Sequence, residues 1–377
     1  MVNSKIQAAE ENLIHVYNRF PIALDHGEGM YLYDTEGKEY LDFAAGFAVS
    51  GLGYDNKELN QALKDQIDKL YHTSNLYYHE SCGEAAQELN RISGMDRVFF
   101  TNSGGEANEG ALKAARRYAY TKKTGRYEFI AMNNSFHGRS FGAVSVTGHD
   151  SYREPFEPVV PGVKFATFND LDSVKALVSD KTCAIILEPL QGEGGINLAT
   201  QEFMEGIRKI CDENGILLVA DEVQTGFCRT GRMFATQYWE EAGVQPDILA
   251  TAKFIAAALK TIEIMERDDL AGCSCEIGEK VSKRFNEWKE KYPVIGDVRG
   301  LGGMIGLEFV KDQKSKEPYP EFSAAVISGC AKKGLMIEGA GTYGNVIRFL
   351  APLVMTDEQL EAGLDIYESV IKELLEK

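Results

Sequence analysis

The chain has 377 residues, enough for two domains around a shared core, with 44% apolar and 26% charged residues as in ordinary globular proteins. Its net charge of −17 disfavours nucleic-acid backbones and anionic membranes, so we expect neither as a partner. The polar N-terminus has no signal-peptide core and no apolar run is long enough to span a bilayer, which predicts a cytoplasmic protein. Seven scattered cysteines indicate reduced thiols, and a single Cys273-Ser274-Cys275 pattern argues against zinc, so no metal is expected.

Apolar runs alternate with helical patterns between residues 95 and 255, which predicts an α/β fold with a mainly parallel, doubly wound sheet. Beyond residue 270 the pattern changes to a smaller α+β unit that the N-terminal hairpin is expected to join. We expect a large domain over residues 46–269 and a small domain formed by residues 1–45 and 270–377. The predicted helices cover Ser4 (as N-cap) to about Tyr17, 57–70, 80–93, an alanine-rich stretch that follows residues 102–108 and extends to Tyr120, 202–214, 323–333 and 356–375. The predicted strands are a hairpin over 29–43 and the runs 98–101, 129–132, 183–187, 216–220, 247–252, 298–310 and 346–350.

The stretch from Ile216 to Gln224 predicts a buried strand that brings Asp221 to its carboxyl end. A carboxylate at the end of a fully covered strand needs a partner, and the carboxyl ends of parallel strands are where open α/β sheets bind ligands. Taken alone, Asp221 is better explained as a cap of the next turn. The functional interpretation depends on other apolar runs that also end in reactive or phosphate-binding groups.

Four such groups together match the needs of pyridoxal phosphate. The turn Ser103-Gly104-Gly105 lies between a strand and a helix, where amides can bind a phosphate, although a simple turn with Ser103 as N-cap explains it equally well. Asp221 can keep a ring nitrogen protonated. Lys253 follows an apolar run and can form a Schiff base, although a single lysine is more often on the surface. Phe136 can stack on a ring, although a lone aromatic is more often core.

Five motifs in this order resemble the class III (ω-) aminotransferases of fold type I, the ornithine, acetylornithine and 4-aminobutyrate aminotransferase group. The resemblance extends over nearly the whole chain. The motifs are TNSGGEANEG (101–110), SFHGR (135–139), EPLQGEGG (188–195), DEVQTGFCRTG (221–231) and PDILATAK (246–253).

The resemblance implies pyridoxal 5'-phosphate as cofactor and assigns roles in its pocket. Lys253 is the implied Schiff-base lysine and proton carrier, and Asp221 is the implied partner of the pyridine nitrogen. The other implied cofactor contacts are Phe136 and Val223 on the two ring faces, Gln224 at the ring hydroxyl, Ser103, Gly104 and Gly105 at the phosphate, and His137 and Glu188 in the same pocket.

The resemblance also implies a substrate site and a reaction. Arg139 and Tyr17 would bind a substrate carboxylate, while Glu193 and Arg348 resemble the pair that admits both an ω-amine and the α-carboxylate of glutamate; a static salt bridge is the alternative. The implied reaction moves an amino group from N-acetylornithine, or a similar ω-amine, to 2-oxoglutarate in arginine biosynthesis, and the implied assembly is a homodimer. The stretch 341–348 resembles 4-aminobutyrate aminotransferases instead, which makes that activity the alternative.

Two departures from the family pattern stand out. Position 105, usually threonine in the family, is glycine. The family's glycine-rich segment after the lysine, which contacts the phosphate of the partner subunit, is missing, because Lys253 is followed directly by the helical pattern of residues 254–262. These departures motivate a second hypothesis, a catalytically impaired relative that acts as a binding protein. A racemase or decarboxylase is a third, minor alternative.

Overall fold

The computed structural model describes residues 3–70, 72–252 and 257–376, and its strands within these ranges form four sheets. The strands are β1 (Leu24–Glu28), β2 (Tyr31–Asp34), β3 (Glu39–Asp42), β4 (Glu128–Met132), β5 (Val163–Ala166), β6 (Thr182–Leu187), β7 (Leu190–Gln191), β8 (Asn197–Leu198), β9 (Leu217–Asp221), β10 (Ile248–Ala250), β11 (Ile295–Leu301), β12 (Met304–Phe309), β13 (Leu335–Met336), β14 (Glu338–Ala340) and β15 (Val346–Phe349).

The helices surround these sheets, and none in the described ranges is both long and apolar enough to cross a membrane. They are α1 (Ser4–Asn12), α2 (Ala45–Ala48), α3 (Lys57–Lys69), α4 (Glu80–Ser93), α5 (Gly104–Thr121), α6 (Phe141–Ser145), α7 (Asp150–Arg153), α8 (Leu171–Leu177), α9 (Gln201–Asn214), α10 (Ala258–Arg267), α11 (Leu270–Lys291), α12 (Pro320–Lys332) and α13 (Asp357–Leu375). Short 3₁₀ helices cover Glu154–Phe156 and Ala235–Ala242.

The central sheet is parallel throughout, in the order β10-β9-β6-β4-β5. Every residue of β6 is buried, because helices cover both faces. Helix α9 ends at Gly215 in the left-handed conformation, which glycine adopts without steric cost, and the chain turns directly into β9. The predicted α/β class with a mainly parallel, doubly wound sheet is confirmed.

Two further sheets bring the ends of the chain together. Strand β13 pairs in parallel with β3, so the N-terminal hairpin shares the sheet β1-β2-β3-β13 with the C-terminal part. The antiparallel sheet β11-β12-β15-β14 packs against α11, α12 and α13 around a core that includes Phe285, Trp288 and Tyr367. The domain boundaries given above stay a prediction.

Two element predictions were wrong. Residues 98–101 form no strand; they line a cavity of about 370 Å³ that also borders β10 and α5, so the run receives no ladder hydrogen bonds. Helix α1 is capped by Asn3, whose side chain accepts from the amide of Lys5, and it ends at Asn12 instead of continuing to Tyr17. Helix α1 buries none of its residues, and a helix without a packed face is marginal at this length.

Candidate active site

Asp221, at the carboxyl end of β9, is the centre of a buried polar network. Its side chain is 3% exposed. Oδ2 accepts hydrogen bonds from Nδ1 of His137 and Nδ2 of Asn108, both at 2.7 Å, and Oδ1 accepts from the amide of Val223 at 3.0 Å. These donors fix the carboxylate and offset the cost of its burial.

Asn108 is a site residue to which the sequence analysis assigned no role. Besides Asp221, its side-chain amide donates to the carbonyl of His137 at 2.8 Å, so it joins α5 to two other segments of the network. Asn108 is 1% exposed and lies on the same buried face of α5 as Ala111 and Leu112. An asparagine among the core positions of an alanine-rich helix was the signal that could have identified it.

His137 presents one unpaired ring atom in this region. Nδ1 is bound to Asp221, and no hydrogen-bond partner is described for the buried Nε2 in the ranges that the structure covers. A buried polar atom of this kind calls for an explanation, and a bound group is one of them.

Glu188 connects the loops that follow β4 and β6. Its Oε1 accepts from the amide of Phe136 at 2.9 Å and its Oε2 from the amide of Gly192 at 3.0 Å. Burial raises the pKa of Glu188 to about 7; His137 lowers it and Asp221 raises it. This geometry makes Glu188 a link that positions Phe136, whose ring lies 5.8 Å from that of Tyr152.

The turn before α5 keeps both of its interpretations open. The Ser103 hydroxyl accepts from the amide of Glu106 at 3.1 Å, so the N-cap is formed. The first helical amides, on Gly104 and Gly105, have no carbonyl one turn earlier in the helix and are oriented for an anion. A Cβ at Gly104 would lie 2.7 Å from Val223, whereas one at Gly105 would meet only the hydroxyls of Ser103 and Ser140, each at 3.9 Å.

Arg348, Glu193 and Gln224 form a second polar group. Nη1 of Arg348 lies 2.6 Å from Oε1 of Glu193, which also accepts from Nε2 of Gln224 at 3.1 Å. Arg348 is 1% exposed, so its charge is balanced inside the protein, and its guanidinium lies 5.2 Å from the ring centre of Phe47. The geometry is compatible with both the switch and the static salt bridge.

The remaining predicted residues are less closely joined. The Arg139 guanidinium lies over the ring of Tyr152 at 4.2 Å and near that of Phe136 at 5.6 Å, beside the predicted stacking ring. Tyr17 is 65% exposed and lines a hollow bordered by residues 5–23. No hydrogen bond or ring contact between Tyr17 and Arg139 is described. Lys253 lies outside the described residues.

The residues that surround Asp221 fit pyridoxal phosphate. The buried carboxylate suits a ring nitrogen, the two glycine amides suit the phosphate, and the ring of Phe136 and the apolar side chain of Val223 suit contact with a flat ring. The hydroxyls of Ser103 and Ser140 near Gly105 and the unpaired Nε2 of His137 are consistent with a bound group here.

The comparisons with known proteins decide the family. The model of the family "Aminotransferase class-III" matches residues 14–260 and 254–371. The chain belongs to the class III aminotransferases.

The acetylornithine aminotransferase of Caldanaerobacter subterraneus subsp. tengcongensis is 39% identical, over 96% of this chain and 98% of its own. Among solved structures, a Bacillus anthracis aminotransferase has a TM-score of 0.92 and 28% identity, covering 98% of both chains. The Toxoplasma gondii ornithine aminotransferase has a TM-score of 0.90 and 26% identity, covering 99% of this chain and 94% of its own. Its description places PLP at its active site. The expected transaminase activity, fold type I and PLP as cofactor are confirmed for this aminotransferase.

The comparisons also bear on the segment expected after Lys253. The two parts of the family match meet at residues 254–260, and the alignments with curated relatives extend over 392 to 404 positions, more than the 377 residues of the chain. The relatives therefore carry residues that this chain lacks, and the family match is interrupted where the sequence analysis placed the loss.

Proposed function

We propose that this aminotransferase moves an amino group from N-acetylornithine, or a similar ω-amine, to 2-oxoglutarate, giving glutamate, as a homodimer in the cytoplasm and as part of arginine biosynthesis. Curated relatives named acetylornithine aminotransferase, 35–39% identical, support the amino donor. The observation that carries the proposal is the buried pair of Arg348 and Glu193 beside Gln224.

Within this proposal, the residues around Asp221 hold the cofactor. Bound PLP supplies an electrophilic carbon for the amino group and a protonated ring that withdraws electrons from the substrate. Asp221 would accept a hydrogen bond from the ring nitrogen and keep the proton there, with His137 and Asn108 fixing its orientation. Lys253 would move a proton through its Nζ at the amino-bearing carbon of the substrate.

The remaining contacts in the proposal orient the cofactor. The amides of Gly104 and Gly105, with the hydroxyl of Ser103, would bind the phosphate. Phe136 and Val223 would hold the two faces of the ring, and Gln224 would bind its hydroxyl.

Arg348 and Glu193 would let one site accept two kinds of substrate. While Nη1 of Arg348 is bound to Glu193, the pair is neutral overall and suits an ω-amine without a carboxylate at this point. A dicarboxylate would draw Arg348 from Glu193 into a bidentate pair, which suits the planar guanidinium. Arg139, and in the family pattern Tyr17, would bind the other substrate carboxylate.

The assembly and compartment have separate support. Three consecutive large side chains, Leu76 (88%), Tyr77 (73%) and Tyr78 (107%), are exposed, and contiguous exposed apolar surface is typical of interfaces. The cysteines of the described residues are free thiols, which suits a reducing compartment.

The test is a panel of amino donors with 2-oxoglutarate as acceptor. Acetylornithine, ornithine, 4-aminobutyrate and putrescine are each supplied to the PLP-loaded protein and glutamate is measured. We expect the highest kcat/KM with acetylornithine, and no turnover after Lys253→Ala. A clear preference for 4-aminobutyrate would overturn the proposed donor.

A second candidate is a family member that binds PLP but turns over poorly, favoured by the residues that this chain lacks after Lys253. Incubation with PLP and then with an amino donor separates the two. The second candidate predicts a PLP-dependent absorbance band that the donor does not change, whereas turnover by the 377-residue chain would exclude it.

A further inference from the structure

Glu338 is a largely buried carboxylate next to Arg348 that the proposed function does not use. In the antiparallel pair of β14 and β15, Glu338 lies directly opposite Arg348. Directly opposed residues place their side chains on the same face of the sheet, about 5 Å apart at Cβ. On the other side of Arg348 the opposed residue of β12 is Gly306, which has no side chain. Of these two neighbours, only Glu338 can bind Arg348.

Both side chains keep a buried polar atom unused. Nε of Arg348 and Oε2 of Glu338 are buried, and neither has a hydrogen-bond partner among the described residues. Nη1 of Arg348 is meanwhile bound to Glu193. The guanidinium thus lies between the carboxylates of Glu338 and Glu193. Of these two, it hydrogen-bonds only Glu193 in this arrangement.

The charges around Glu338 are unbalanced. Arg348 is the cation that faces it, whereas Glu193 and Asp42 are anions; Tyr54 donates to Asp42 at 2.6 Å. Burial raises the pKa of Glu338 to about 7, Arg348 lowers it, and Asp42 and Glu193 raise it further. Near neutral pH, Glu338 therefore changes between a neutral acid and a second anion beside Arg348.

Asp42 has a charged neighbour of its own, whereas the opposite face of β14 has an apolar one. Arg229, which is buried, lowers the pKa of Asp42, whereas burial of that carboxyl raises it and is the larger cause. On the opposite face of β14, helix α12 places the apolar Ile327 beside Gly339.

We propose that Glu338 is a positioning residue that competes for Arg348 and so sets how well the site accepts a dicarboxylate. The inference rests on the proposed role of Arg348 as a substrate-binding residue. An ionised Glu338 forms an ion pair with Arg348 through Nε and repels the substrate carboxylate that would bind there. A neutral Glu338 does not compete, so Arg348 can bind either Glu193 or the substrate carboxylate. Dicarboxylate binding is therefore strongest on the acid side of neutrality and weakens as Glu338 ionises.

The experiment measures binding to the PLP-loaded protein by calorimetry between pH 6 and 8.5, with glutarate as dicarboxylate probe and butyrate as monocarboxylate probe. We expect the Kd for glutarate, relative to that for butyrate, to rise roughly tenfold across this range, a scale usual for two coupled sites. In Glu338→Gln the ratio is expected to stay flat. Glu308→Gln, which removes a carboxylate bound to Arg299 in the same sheet, is expected to keep the wild-type rise.

The outcomes separate the inference from the proposed function. A ratio that is flat in the wild-type protein, or that rises equally in Glu338→Gln, overturns the role of Glu338 but leaves Arg348 as a carboxylate binder. If the wild-type protein binds no glutarate at any pH, and Arg348→Gln changes nothing, then the role of Arg348 fails and the inference fails with it. If Glu338→Gln does not fold, Glu338→Leu, which also removes the charge, takes its place in the same titration.

Discussion

The carboxyl end and the outer edge of strand β10 differ sharply in how they are packed. At its carboxyl end Ala250 pairs with Asp221, and the amide of Glu222 donates to the carbonyl of Ala250 at 2.7 Å, so the strand is tied into the polar network. Along its outer edge β10 borders a cavity of about 370 Å³ instead of a neighbouring strand. The candidate cofactor site therefore depends on interior strands and on α5, and it is formed without a completed sheet edge.

The largest effect is expected from Asp221→Ala. The substitution leaves the donors on His137 and Asn108 without their acceptor. Removing one partner of a buried pair lowers the free energy of unfolding by about 3–5 kcal/mol. We expect transamination to fall by roughly a hundredfold or more. Denaturant unfolding and initial rates measure the two effects.

Asp247→Asn is the matched control, at the other end of the same strand pair. Asp247 accepts from the amide of Leu218 and from Arg208, away from the candidate site. We expect it to reduce stability while leaving kcat close to that of the wild type. Wild-type turnover by Asp221→Ala would contradict the assignment.

The next effect concerns pH. The pKa of Glu188 is about 7 in the folded protein and about 4.3 for an exposed glutamate, so between these values the folded state binds more protons. Stability therefore falls as pH rises across this window, by about 4 kcal/mol in total from this group. We expect the free energy of unfolding of Glu188→Gln to decline less steeply between pH 5 and 7.5. An equal slope in both proteins would contradict the prediction, and the exposed Glu361→Gln serves as control.

A smaller effect is expected at the open edge. Ala111 of α5 is buried and lines the cavity, so Ala111→Leu should fill part of it and stabilise the fold by about 1 kcal/mol without changing activity. Lys113→Leu, on the exposed side of the same helix, adds a similar side chain outside the cavity and should give no gain. Equal unfolding midpoints for the two variants would show that the cavity is not there to be filled.

The smallest effect is expected at the junction of the two regions, where α5 begins. A Cβ at Gly105 would meet only ordinary contacts, so Gly105→Thr adds the hydroxyl expected from the family resemblance and should tighten PLP binding roughly threefold, the scale of one added hydrogen bond. Gly104→Ala would place its Cβ against Val223 and should weaken binding. PLP titration monitored by absorbance measures both, and a loss of affinity in Gly105→Thr would reject this view of the turn.

Elements with complete local signals were predictable. Helix α13 starts after Thr356, whose hydroxyl accepts from the amide of Gln359 while the Gln359 side chain returns the bond, a capping box within four residues. Strand β9 was predictable because its apolar run follows a helix-ending glycine. Residues 98–101 have the same local strand signal, yet a strand needs a hydrogen-bonded neighbour, and the cavity lies between this run and the outer edge of β10.

The candidate site likewise contains features that the sequence predicted and features that it could not predict. The Asp221, His137 and Gly104 motifs were visible in the sequence because each follows or precedes a regular element. Their meeting follows from the strand order, in which β4 and β9 flank β6 and end on the same side. The bond from Asn108 to Asp221 and the placement of Glu338 opposite Arg348 could not be predicted, since helix rotation and strand register depend on packing across the whole fold.

By itself, the sequence determined the fold class, the family and its cofactor, because periodicity, caps and short motifs are local properties that survive without coordinates. The tertiary structure alone decided which donors surround Asp221, which carboxylates surround Arg348, and that, among the described residues, a cavity instead of a strand borders the outer edge of β10. Those features depend on contacts between residues tens to hundreds of positions apart, which burial and register bring together and which no local pattern encodes.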